Sequence, residues 1–434
     1  MRYIIAVLGC KVNQYEAEAM ELLLKAHGHT LCQRGEADAV ILHSCAVTAE
    51  GERKARQTAR RLLKDNPGAI LCVSGCWSQI APEAAREIGA KVIFGTGDTL
   101  GFVEAVENAV EKGSETLSVP DNREKRCYQP LPAGAYAGHA RAYLKIQDGC
   151  DNYCAYCIIP YARGHIRSLP VADCVKEYAA LAEAGYREIV LTGIEIASYG
   201  HDLEAVSLID ALEAMAAAAP EVRMHLGSLE PRVITEDFAA RLQRLNICPH
   251  FHLSMQSGCD ETLRRMKRRY DTALFYGVCE RLRRYFPHCS LTTDLICGFP
   301  GETGEEFAAT LEFIRKCDFA AMHIFPYSVR PGTLAEKLPG KLPAKVKNAR
   351  SAEAIAVADE MENAYLRSCV GSTLSVLFET EEGESVKGHA ENYTEVRVPG
   401  RNLRGQVLEV EITGVEGKTL TGRIKEGKET VFPV

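Results

Sequence analysis

The sequence predicts an α/β protein with three domains, and three patterns in the chain support that fold class. In residues 1–128, apolar runs alternate with helical stretches, and the same alternation recurs from about residue 140 onward. Residues 370–434 instead contain short runs of β-forming residues separated by glycine-rich turns. Strands that alternate with helices are typical of parallel sheets, and closely spaced short strands are typical of small barrels. A length of 434 residues also suits two or three domains.

In the first domain, residues 1–128, four strands are predicted from the runs YIIAVL, DAVILHS, AILCVSG and KVIFG. Helical patterns cover residues 14–27 and 48–64 and begin again near Pro82, which suits the first turn of a helix. Because these strands are apolar throughout, we expect a parallel sheet with helices on both faces. Residues 113–139 are rich in glycine, proline and polar residues, and we interpret them as a linker.

Three cysteines of the first domain occupy equivalent places. Cys10, Cys45 and Cys76 each lie one or two residues after a predicted strand. The loops that follow parallel strands lie at one edge of the sheet, where ligands bind in such folds. The three thiols are therefore expected to converge, although they are far apart in the chain.

The second domain, residues 140–368, contains six strand–helix units and is predicted to form a partial (β/α) barrel. Its strands are ARAYLKIQ, REIVLTG, VRMHLGS, HFHLSMQ, SLTTDLICG and FAAMHIFPYS, and its last part, residues 340–368, is a helical connector. Polar or reactive residues are predicted just after these strands: Cys150, Glu195, Glu230, Gln256, Asp294 and Tyr327. In such barrels the carboxyl ends of the strands form the active face.

The third domain, residues 370–434, is predicted to be a small β-barrel of five strands, a module that often binds nucleic acid. It holds 8 Lys and Arg against 11 Asp and Glu, a net charge of −3. RNA binding by this module would therefore need a local patch, for which Arg397, Arg401 and Arg404 are candidates. Tyr393 is available in the sequence for stacking on a base. A protein partner is the alternative.

The composition is that of a globular protein, with 46% hydrophobic and 25% charged residues and a net charge of −7. This charge does not favour nucleic-acid binding over the whole surface, so any basic surface must be local. No apolar run approaches the roughly 20 residues of a membrane span, and no leader pattern opens the chain. We therefore expect a cytoplasmic protein without membrane contact, whose 17 cysteines are thiols and metal ligands rather than disulfides.

The central cysteine motif is C-x3-C-x2-C, formed by Cys150, Cys154 and Cys157 in DGCDNYCAYCIIP. Three thiolates without a fourth suit a [4Fe–4S] cluster that leaves one iron open to a small molecule. Zinc is the structural alternative, but it needs four closed ligands and no second C-x2-C or histidine pair lies nearby. His165 follows at a spacing that does not match a zinc knuckle. Tyr156 precedes the last cysteine and can pack over an adenine ring.

The run CDNYCAYCIIPYARG resembles the signature of the radical S-adenosylmethionine (SAM) superfamily. The resemblance implies that SAM binds the open iron and is cleaved reductively to a 5′-deoxyadenosyl radical. Carboxylates and an amide that follow strands are candidates for binding the ribose and the ammonium group of SAM: Glu195, Glu230, Gln256 and Asp294. The alternative is that these residues cap the turns and helices that follow the strands.

The runs LGCKVNQYEAEAM, HSCAVTAEGERKARQ and SGCWSQ resemble the amino domain of the methylthiotransferases, and VLFE and GHAENYTEV resemble the TRAM domain. The resemblance covers nearly the whole chain. It implies a second [4Fe–4S] cluster on Cys10, Cys45 and Cys76, and transfer of a methylthio group to an unactivated carbon with two SAM molecules. No catalytic residue is needed for hydrogen abstraction by the radical. A reducing electron donor and a sulfur source are required partners.

Within this family the motifs most resemble the branch that acts on N6-threonylcarbamoyladenosine, at carbon 2 of the adenine next to the tRNA anticodon. The anticodon stem-loop is then the substrate. The alternatives are the branch that acts on N6-isopentenyladenosine and the branch that acts on an aspartate of a ribosomal protein.

Two basic stretches are candidates for phosphate contacts. The segment ERKARQTARRLLK carries six cations, namely Arg53, Lys54, Arg56, Arg60, Arg61 and Lys64, and RRMKRR spans residues 264–269. A solvated helix face is the plainer interpretation. Two other functions stay open: a radical SAM methyltransferase or oxidoreductase in which the N-terminal cysteines are not ligands, and a zinc-dependent RNA-binding protein without turnover.

Overall fold

The computed structural model describes residues 1–131 and 140–425. The end of the predicted linker and the last nine residues of the predicted third domain, 426–434, lie outside the described residues. Within the two described ranges, no helix combines the length and the apolar character that crossing a membrane requires. The predicted α/β fold class is confirmed: a parallel sheet, a partial barrel of parallel strands and a small closed β-barrel follow one another along the chain.

The N-terminal sheet contains six parallel strands in the order β2-β1-β3-β4-β5-β6. In chain order the elements are β1 (Arg2–Leu8), α1 (Lys11–Ala26), β2 (Thr30–Leu31), β3 (Ala39–Ser44), α2 (Ala49–Asp65), β4 (Ile70–Gly75), α3 (Cys76–Ile80), α4 (Pro82–Glu87), β5 (Val92–Phe94), α5 (Thr99–Lys112) and β6 (Thr116–Ser118). The central strand β3 is buried along its whole length, and two apolar clusters cover the two faces of the sheet. This arrangement explains the uninterrupted apolar strands.

The prediction of four strands missed the two edge strands, β2 and β6. Each has only two or three residues, which is too short to show a periodic pattern. β6 also lies inside the predicted linker, and that interpretation is wrong for part of the segment. Asn122, four residues further on, is 1% exposed and donates hydrogen bonds to the carbonyl oxygen of Ala162 and to Thr96. This part of the segment is therefore packed against the central domain.

The central domain has six parallel strands that form two three-stranded sheets, β7-β10-β11 and β12-β13-β14. Its elements are β7 (Ala142–Lys145), β8 (Gln147–Asp148), α6 (Ile159–Arg163), β9 (Arg167–Ser168), α7 (Val171–Glu183), β10 (Glu188–Thr192), α8 (Leu208–Ala218), β11 (Arg223–Leu226), α9 (Glu236–Leu242), β12 (His250–Gln256), α10 (Asp260–Arg265), α11 (Thr272–Tyr285), β13 (Ser290–Cys297), α12 (Gly304–Cys317), β14 (Ala321–Pro326) and α13 (Ala344–Ser368). Isolated bridges from Met224 to Ile247 and from Leu229 to Leu253 join the sheets. The six predicted strands are all present, as a partial barrel.

Strand β12 shows how the sequence specifies the two faces of this barrel. Phe251, Leu253 and Met255 are fully buried and belong to one apolar core with residues of the surrounding helices. The alternate residues, among them His250 and His252, point to the other face because side chains alternate along a strand. We call the space that this inner face surrounds the lumen. The carboxyl ends of the strands form its mouth and the amino ends form its floor.

The C-terminal module is a closed five-stranded barrel in the order β15-β16-β17-β19-β18, as predicted. Its strands are β15 (Thr373–Glu382), β16 (Ser385–Ala390), β17 (Glu395–Pro399), β18 (Val407–Glu416) and β19 (Thr419–Ile424). Alternate residues of β16 and β17, such as Val386, Val396 and Val398, fill its core. Full closure removes the free strand edges that would otherwise invite pairing with another chain.

This module closes the floor of the lumen. The Arg223 side chain at the start of β11 donates a hydrogen bond of 2.8 Å to the carbonyl oxygen of Ser375. The ring of Tyr393 packs between His225 and His250, with 4.8 Å between ring centroids in each case. The prediction that Tyr393 is available for stacking on RNA is therefore wrong, because its ring contributes to the contact between the two domains.

Candidate functional site

The three N-terminal cysteines meet because three adjacent strands end in register. Leu8 of β1 pairs with Ser44 of β3, and Ser44 pairs with Gly75 of β4. Cys45 and Cys76 are the residues that follow Ser44 and Gly75, and Cys10 comes two residues after Leu8. The predicted convergence at one edge of the sheet thus follows directly from the strand register.

A glycine permits the closest approach among these loops. Gly9 has a φ of +148°, and a Cβ atom placed on it would lie 2.3 Å from Oδ1 of Asn13 and 3.0 Å from Cβ of Cys45. Asn13 accepts hydrogen bonds from the backbone N–H and the thiol of Cys10, at 3.2 and 3.3 Å. The start of α1 is therefore held directly against the loop that follows β3.

Burial and a nearby guanidinium have opposite effects on these thiols. Burial raises the pKa of the Cys76 thiol to about 12, against the opposing charge of Arg163 and with the neighbouring thiols adding to the rise. Burial also raises the pKa of Cys45, and the charge of Cys10 adds to it. Bound metal ions deprotonate such thiols. The Arg163 side chain donates a hydrogen bond of 3.2 Å to the Cys76 sulfur, as expected for a thiolate ligand.

The second set, Cys150, Cys154 and Cys157, lies in the loop between β8 and α6 at the mouth of the lumen. Burial raises the pKa of Cys157 to about 12, and the charges of Cys154 and of Cys45 from the first set contribute to this rise. The two sets of cysteines therefore lie within electrostatic range of each other. The Arg268 side chain donates a hydrogen bond of 3.2 Å to the sulfur of Cys154. In each set of cysteines, one arginine therefore donates a hydrogen bond to one sulfur atom.

Glu195 lies beside this loop with an unfilled hydrogen-bonding position. Its backbone N–H donates a hydrogen bond of 2.8 Å to Gln147, which fixes the turn after β10. Within the described chain, its Oε1 atom is buried and has no hydrogen-bond partner. Burial raises the pKa of Glu195 to about 7, with Arg268 opposing the rise and Glu230 adding to it. A buried carboxyl oxygen without a partner fits a site that receives a polar ligand.

The other candidates for SAM contacts have different surroundings. Glu230 is buried and caps the turn that follows it, accepting hydrogen bonds from the backbone and side chain of Arg232, which agrees with the alternative structural interpretation. Gln256 ends β12 with a φ of +70°, an uncommon value for a residue other than glycine. Tyr156 is half-buried, with its ring edge-on to Phe299 at 6.5 Å.

Asp294 does not follow its strand as predicted. It lies in the middle of β13, and its carboxylate forms an ion pair of 3.2 Å with Nε2 of His252 inside the lumen. The predicted run SLTTDLICG already contains Asp294, and β13 spans Ser290–Cys297, so the expectation that Asp294 follows the strand is wrong. Tyr327, in contrast, follows β14 directly.

A buried ionic network joins the two sets of cysteines. The guanidinium of Arg163 is fully buried and contacts Glu16 of α1 at 2.7 and 2.9 Å and Asp148 at 3.2 Å. Lys145 contacts Glu16 at 2.8 Å and Asp148 at 2.7 Å. Although burial alone would raise it, the pKa of Glu16 is held well below its usual value by Arg163 and Lys145. The network fixes the N-terminal domain against the mouth of the barrel.

Arg163 and Arg268 were not recognised from the sequence as parts of the site. Arg163 lies in the YARG segment after the cysteine motif, and Arg268 lies in RRMKRR, which was interpreted as a phosphate-binding cluster. In that cluster Arg264 and Arg265 are ion-paired with Glu261 and Glu306. By contrast, Arg60, Arg61 and Lys64 on α2 are exposed and, among the described residues, have no side-chain hydrogen bond or ion pair.

The floor of the lumen contains a further group of possible metal ligands, Glu188, His225 and Cys248, whose donor atoms lie within 4.8 Å of one another. Their surroundings do not suit a cation. Arg223 contacts Glu188 at 2.6 Å, and Arg141 contacts it at 3.5 Å. Positive charge already surrounds the only carboxylate of the group, so we assign no metal to it.

Two family models match the chain. Residues 144–314 match the Radical SAM superfamily, and residues 2–95 match a family described as uncharacterized protein family UPF0004. The matches coincide with the barrel domain and with most of the N-terminal sheet domain, so each contains one set of three cysteines.

Curated proteins are similar over nearly the whole chain. Threonylcarbamoyladenosine tRNA methylthiotransferase MtaB of Bacillus subtilis (strain 168) is 35% identical over 415 residues, which covers 93% of this chain and 92% of that protein. The protein with the same name from Thermotoga maritima is 35% identical and covers 86% of each chain. A tRNA-2-methylthio-N(6)-dimethylallyladenosine synthase of Oleidesulfovibrio alaskensis is 33% identical and covers 96% of this chain and 97% of that protein.

Solved structures share the fold at low sequence identity. The radical S-adenosylmethionine methyltransferase TsrM from Kitasatospora setae superposes with a TM-score of 0.57 at 14% identity, over 88% of this chain and 81% of that chain. The cobalamin-dependent S-adenosylmethionine radical enzyme OxsB gives a TM-score of 0.52 at 11% identity, over 83% of this chain and 61% of that chain. At these identities the likeness concerns the fold alone.

Proposed function

Because the chain belongs to the radical SAM methylthiotransferase family, we propose that it adds a methylthio group to carbon 2 of N6-threonylcarbamoyladenosine beside the anticodon of tRNA. The observation that carries the proposal is the proximity of the two sets of cysteines across the mouth, where the charge of Cys45 reaches Cys157. Relatives named for this substrate, at 35% identity over 86 to 93% of the chain, support the choice of branch.

Membership of the family implies one [4Fe–4S] cluster and SAM, and we assign the cluster to Cys150, Cys154 and Cys157. Three thiolates leave one iron of such a cluster without a protein ligand. When bound there, SAM and the cluster supply a 5′-deoxyadenosyl radical, and SAM also supplies the methyl group. The contribution of Arg268 is to donate a hydrogen bond to Cys154, which stabilises the thiolate form of that residue.

We assign SAM binding at the mouth to Glu195, with Glu230, Gln256 and Tyr156 around it. Glu195 is the strongest of these assignments because its buried Oε1 atom lacks a partner in the described chain. A hydroxyl or ammonium hydrogen of the ligand would satisfy this atom. Asp294 is ion-paired with His252, and its part in SAM binding stays a prediction.

We assign a second [4Fe–4S] cluster, which handles sulfur, to Cys10, Cys45 and Cys76. Support comes from the position of the three thiols at one sheet edge, where Cys76 is buried, Cys45 is half-buried and Cys10 is exposed, and from the Arg163 hydrogen bond to Cys76. Transfer of a methylthio group consumes a sulfur atom and electrons, so a sulfur source and a reducing electron donor are required. Exposed cations of α2, Arg60, Arg61 and Lys64, are suited to contact the phosphates of the anticodon stem-loop.

Two measurements test this function. Mass spectrometry of tRNA nucleosides, from cells lacking and expressing the chain, should show a methylthio group added to threonylcarbamoyladenosine. Addition to isopentenyladenosine, or no change in tRNA together with methylthiolation of a ribosomal protein, would refute the proposed substrate. Iron analysis after anaerobic reconstitution should give about eight iron atoms per chain, four for each cluster. About four would refute the second cluster, and zinc in place of iron would refute both.

A further inference from the structure

Lys11 is the first residue of α1 and follows Cys10, yet its side chain reaches the floor of the lumen. Its ammonium nitrogen lies 5.4 Å from the centroid of the Tyr393 ring. That ring packs against His225 and His250, whose strands begin at the floor. A single residue of the N-terminal domain thus places a positive charge inside the barrel, below the mouth where the cysteines lie.

Among the described residues, Lys11 makes no direct ion pair, unlike the arginines around it, although the carboxylate of Glu188 is close enough to interact with its charge. Arg141 lies over the same ring at 5.3 Å, but it is ion-paired with Glu379 at 3.1 Å and Glu188 at 3.5 Å. Arg223 is ion-paired with Glu188 at 2.6 Å. Among the described residues, Lys11 has no side-chain hydrogen bond and no ion pair, although it is half-buried. A cation removed from water without a partner is unfavourable, so the site is suited to receive an anion.

We propose that Lys11 binds the carboxylate of the threonyl group of the substrate nucleoside and thereby selects it over nucleosides with uncharged substituents. This inference rests on the proposed function. A threonylcarbamoyl group brings one carboxylate, whereas an isopentenyl group is a hydrocarbon. The substituent on N6 projects from the adenine in a different direction from carbon 2. If carbon 2 lies between the two sets of cysteines, the substituent on N6 can extend towards the lumen.

Other anions fit this position less well. The carboxylate of SAM belongs at the mouth, because Cys150, Cys154 and Cys157 follow the carboxyl ends of the strands. Lys11 contacts Tyr393, which lies against the amino ends. A tRNA phosphate would have to reach Lys11 through the floor of the lumen. The C-terminal module closes the floor through Tyr393 and through the contact of Arg223 with Ser375. The carboxylate of a base substituent, in contrast, would approach from the mouth together with the nucleoside.

The test measures binding of anticodon stem-loops to the reconstituted holoenzyme. Three RNAs of one sequence are compared: one with threonylcarbamoyladenosine, one in which the threonyl carboxylate is a primary amide, and one with unmodified adenosine. The unaltered enzyme should bind the first about 10- to 100-fold more tightly than the second, the range for a hydrogen bond to a charged group. Lys11→Met should abolish this difference and leave the affinity for the unmodified RNA unchanged. Lys11→Arg should retain most of it.

Lys25→Met is the matched control, because Lys25 lies on the same helix at the surface and is paired with Glu21. It should bind the three RNAs as the unaltered enzyme does. Iron content shows whether Lys11→Met keeps both clusters. The comparison of carboxylate with amide uses the unaltered enzyme and so does not depend on the folding of any variant.

Two results would overturn the assignment of Lys11. One is an unaltered enzyme that binds the amide as tightly as the carboxylate, and the other is a Lys11→Met enzyme that still prefers the carboxylate tenfold. In both cases the nucleoside product separates this inference from the proposed function. If methylthio-threonylcarbamoyladenosine still forms, only the role of Lys11 is refuted. If only isopentenyladenosine is modified, both are refuted.

Discussion

The two ends of the central barrel differ in the charges that surround their buried carboxylates. At the mouth, the two sets of three thiols lie within electrostatic range of each other, and the buried Oε1 atom of Glu195 has no hydrogen-bond partner in the described chain. At the floor, Glu188 is paired with Arg141 and Arg223, and the C-terminal module seals the end. A buried carboxylate without an ion pair indicates where a ligand is to be received, and a buried carboxylate between two arginines indicates where two domains are held together. Lys11 differs from the arginines at the floor because it has no ion pair among the described residues.

The largest expected effects are at the mouth and distinguish the two sets of cysteines. Cys154→Ala should abolish reductive cleavage of SAM, because the open-iron cluster loses one of three ligands. Cys45→Ala should spare SAM cleavage but stop methylthiolation, because only the sulfur-handling set is damaged. The products to measure are 5′-deoxyadenosine and methylthiolated nucleoside. Cys127→Ala is the control, since Cys127 is exposed and belongs to neither set. Normal methylthiolation by Cys45→Ala would contradict the second cluster.

The next largest effect concerns the network that joins the domains at the mouth. Arg163→Met removes the cation that contacts both oxygens of buried Glu16, and it leaves Glu16 and Asp148 to share Lys145. Removal of one partner of a buried ion pair lowers the free energy of unfolding by about 3 to 5 kcal/mol, and we expect the lower end of this range because Lys145 remains paired with both carboxylates. The free energy of unfolding is measured by urea titration with circular dichroism as the signal. Arg123→Met, which breaks only an exposed pair with Asp121, should leave the unfolding curve unchanged. If Arg163→Met and Arg123→Met lowered the free energy of unfolding equally, the burial of the ion pair would not determine its contribution to stability.

At the floor, acid pH should loosen the closure. Burial lowers the pKa of His225 to about 4 from 6.5 and holds the pKa of His250 well below its usual value. Between pH 6.5 and 4 the unfolded chain binds protons that the folded chain does not, so stability falls as the pH falls. At pH 5 the loss from His225 is about 2 kcal/mol, and His250 adds to it in the same direction. Arg141, Arg223 and Lys11 face the same space and stay positive in this range.

The pH effect is measured as the difference in free energy of unfolding between pH 7 and pH 5. The double variant His225→Gln and His250→Gln should show a smaller difference than the unaltered chain. His323→Gln, which changes an exposed imidazole, should not alter it. The pKa of Glu188 is itself lowered, against burial, by its contacts with His225, Arg141 and Arg223, so its contribution is lost only below about pH 4.5. An unchanged difference in the double variant would rule out the histidines as its source.

The smallest effect is expected on the outer surface of the C-terminal module. Arg397 and Arg401 are ion-paired with Glu416 and Glu384 at exposed positions. Replacing both with alanine should lower the free energy of unfolding by less than about 1 kcal/mol. The affinity for the anticodon stem-loop should change less than twofold, as measured by fluorescence anisotropy. A loss of affinity of tenfold or more would instead support the RNA-binding patch predicted from the sequence.

Much of the fold was accessible from the sequence because its signals are local. The six strands of the partial barrel, the five of the C-terminal barrel and the four longer strands of the N-terminal sheet all show apolar runs or alternation. The strands β2 and β6 were missed because they are short. Asp294 lies inside the predicted run SLTTDLICG, and only the contact of its carboxylate with His252 shows that it points into the lumen rather than to the mouth.

By itself, the sequence determined the chemistry available to this protein: a loop with Cys150, Cys154 and Cys157, and three more cysteines placed after strands. These features depend on spacing along the chain, which a sequence states directly. Only the tertiary structure decided which groups meet, because contacts such as Arg163 with Cys76, Arg268 with Cys154 and Lys11 with Tyr393 join segments 87, 114 and several hundred residues apart. Strand register and domain packing bring these segments together, and no local pattern encodes either.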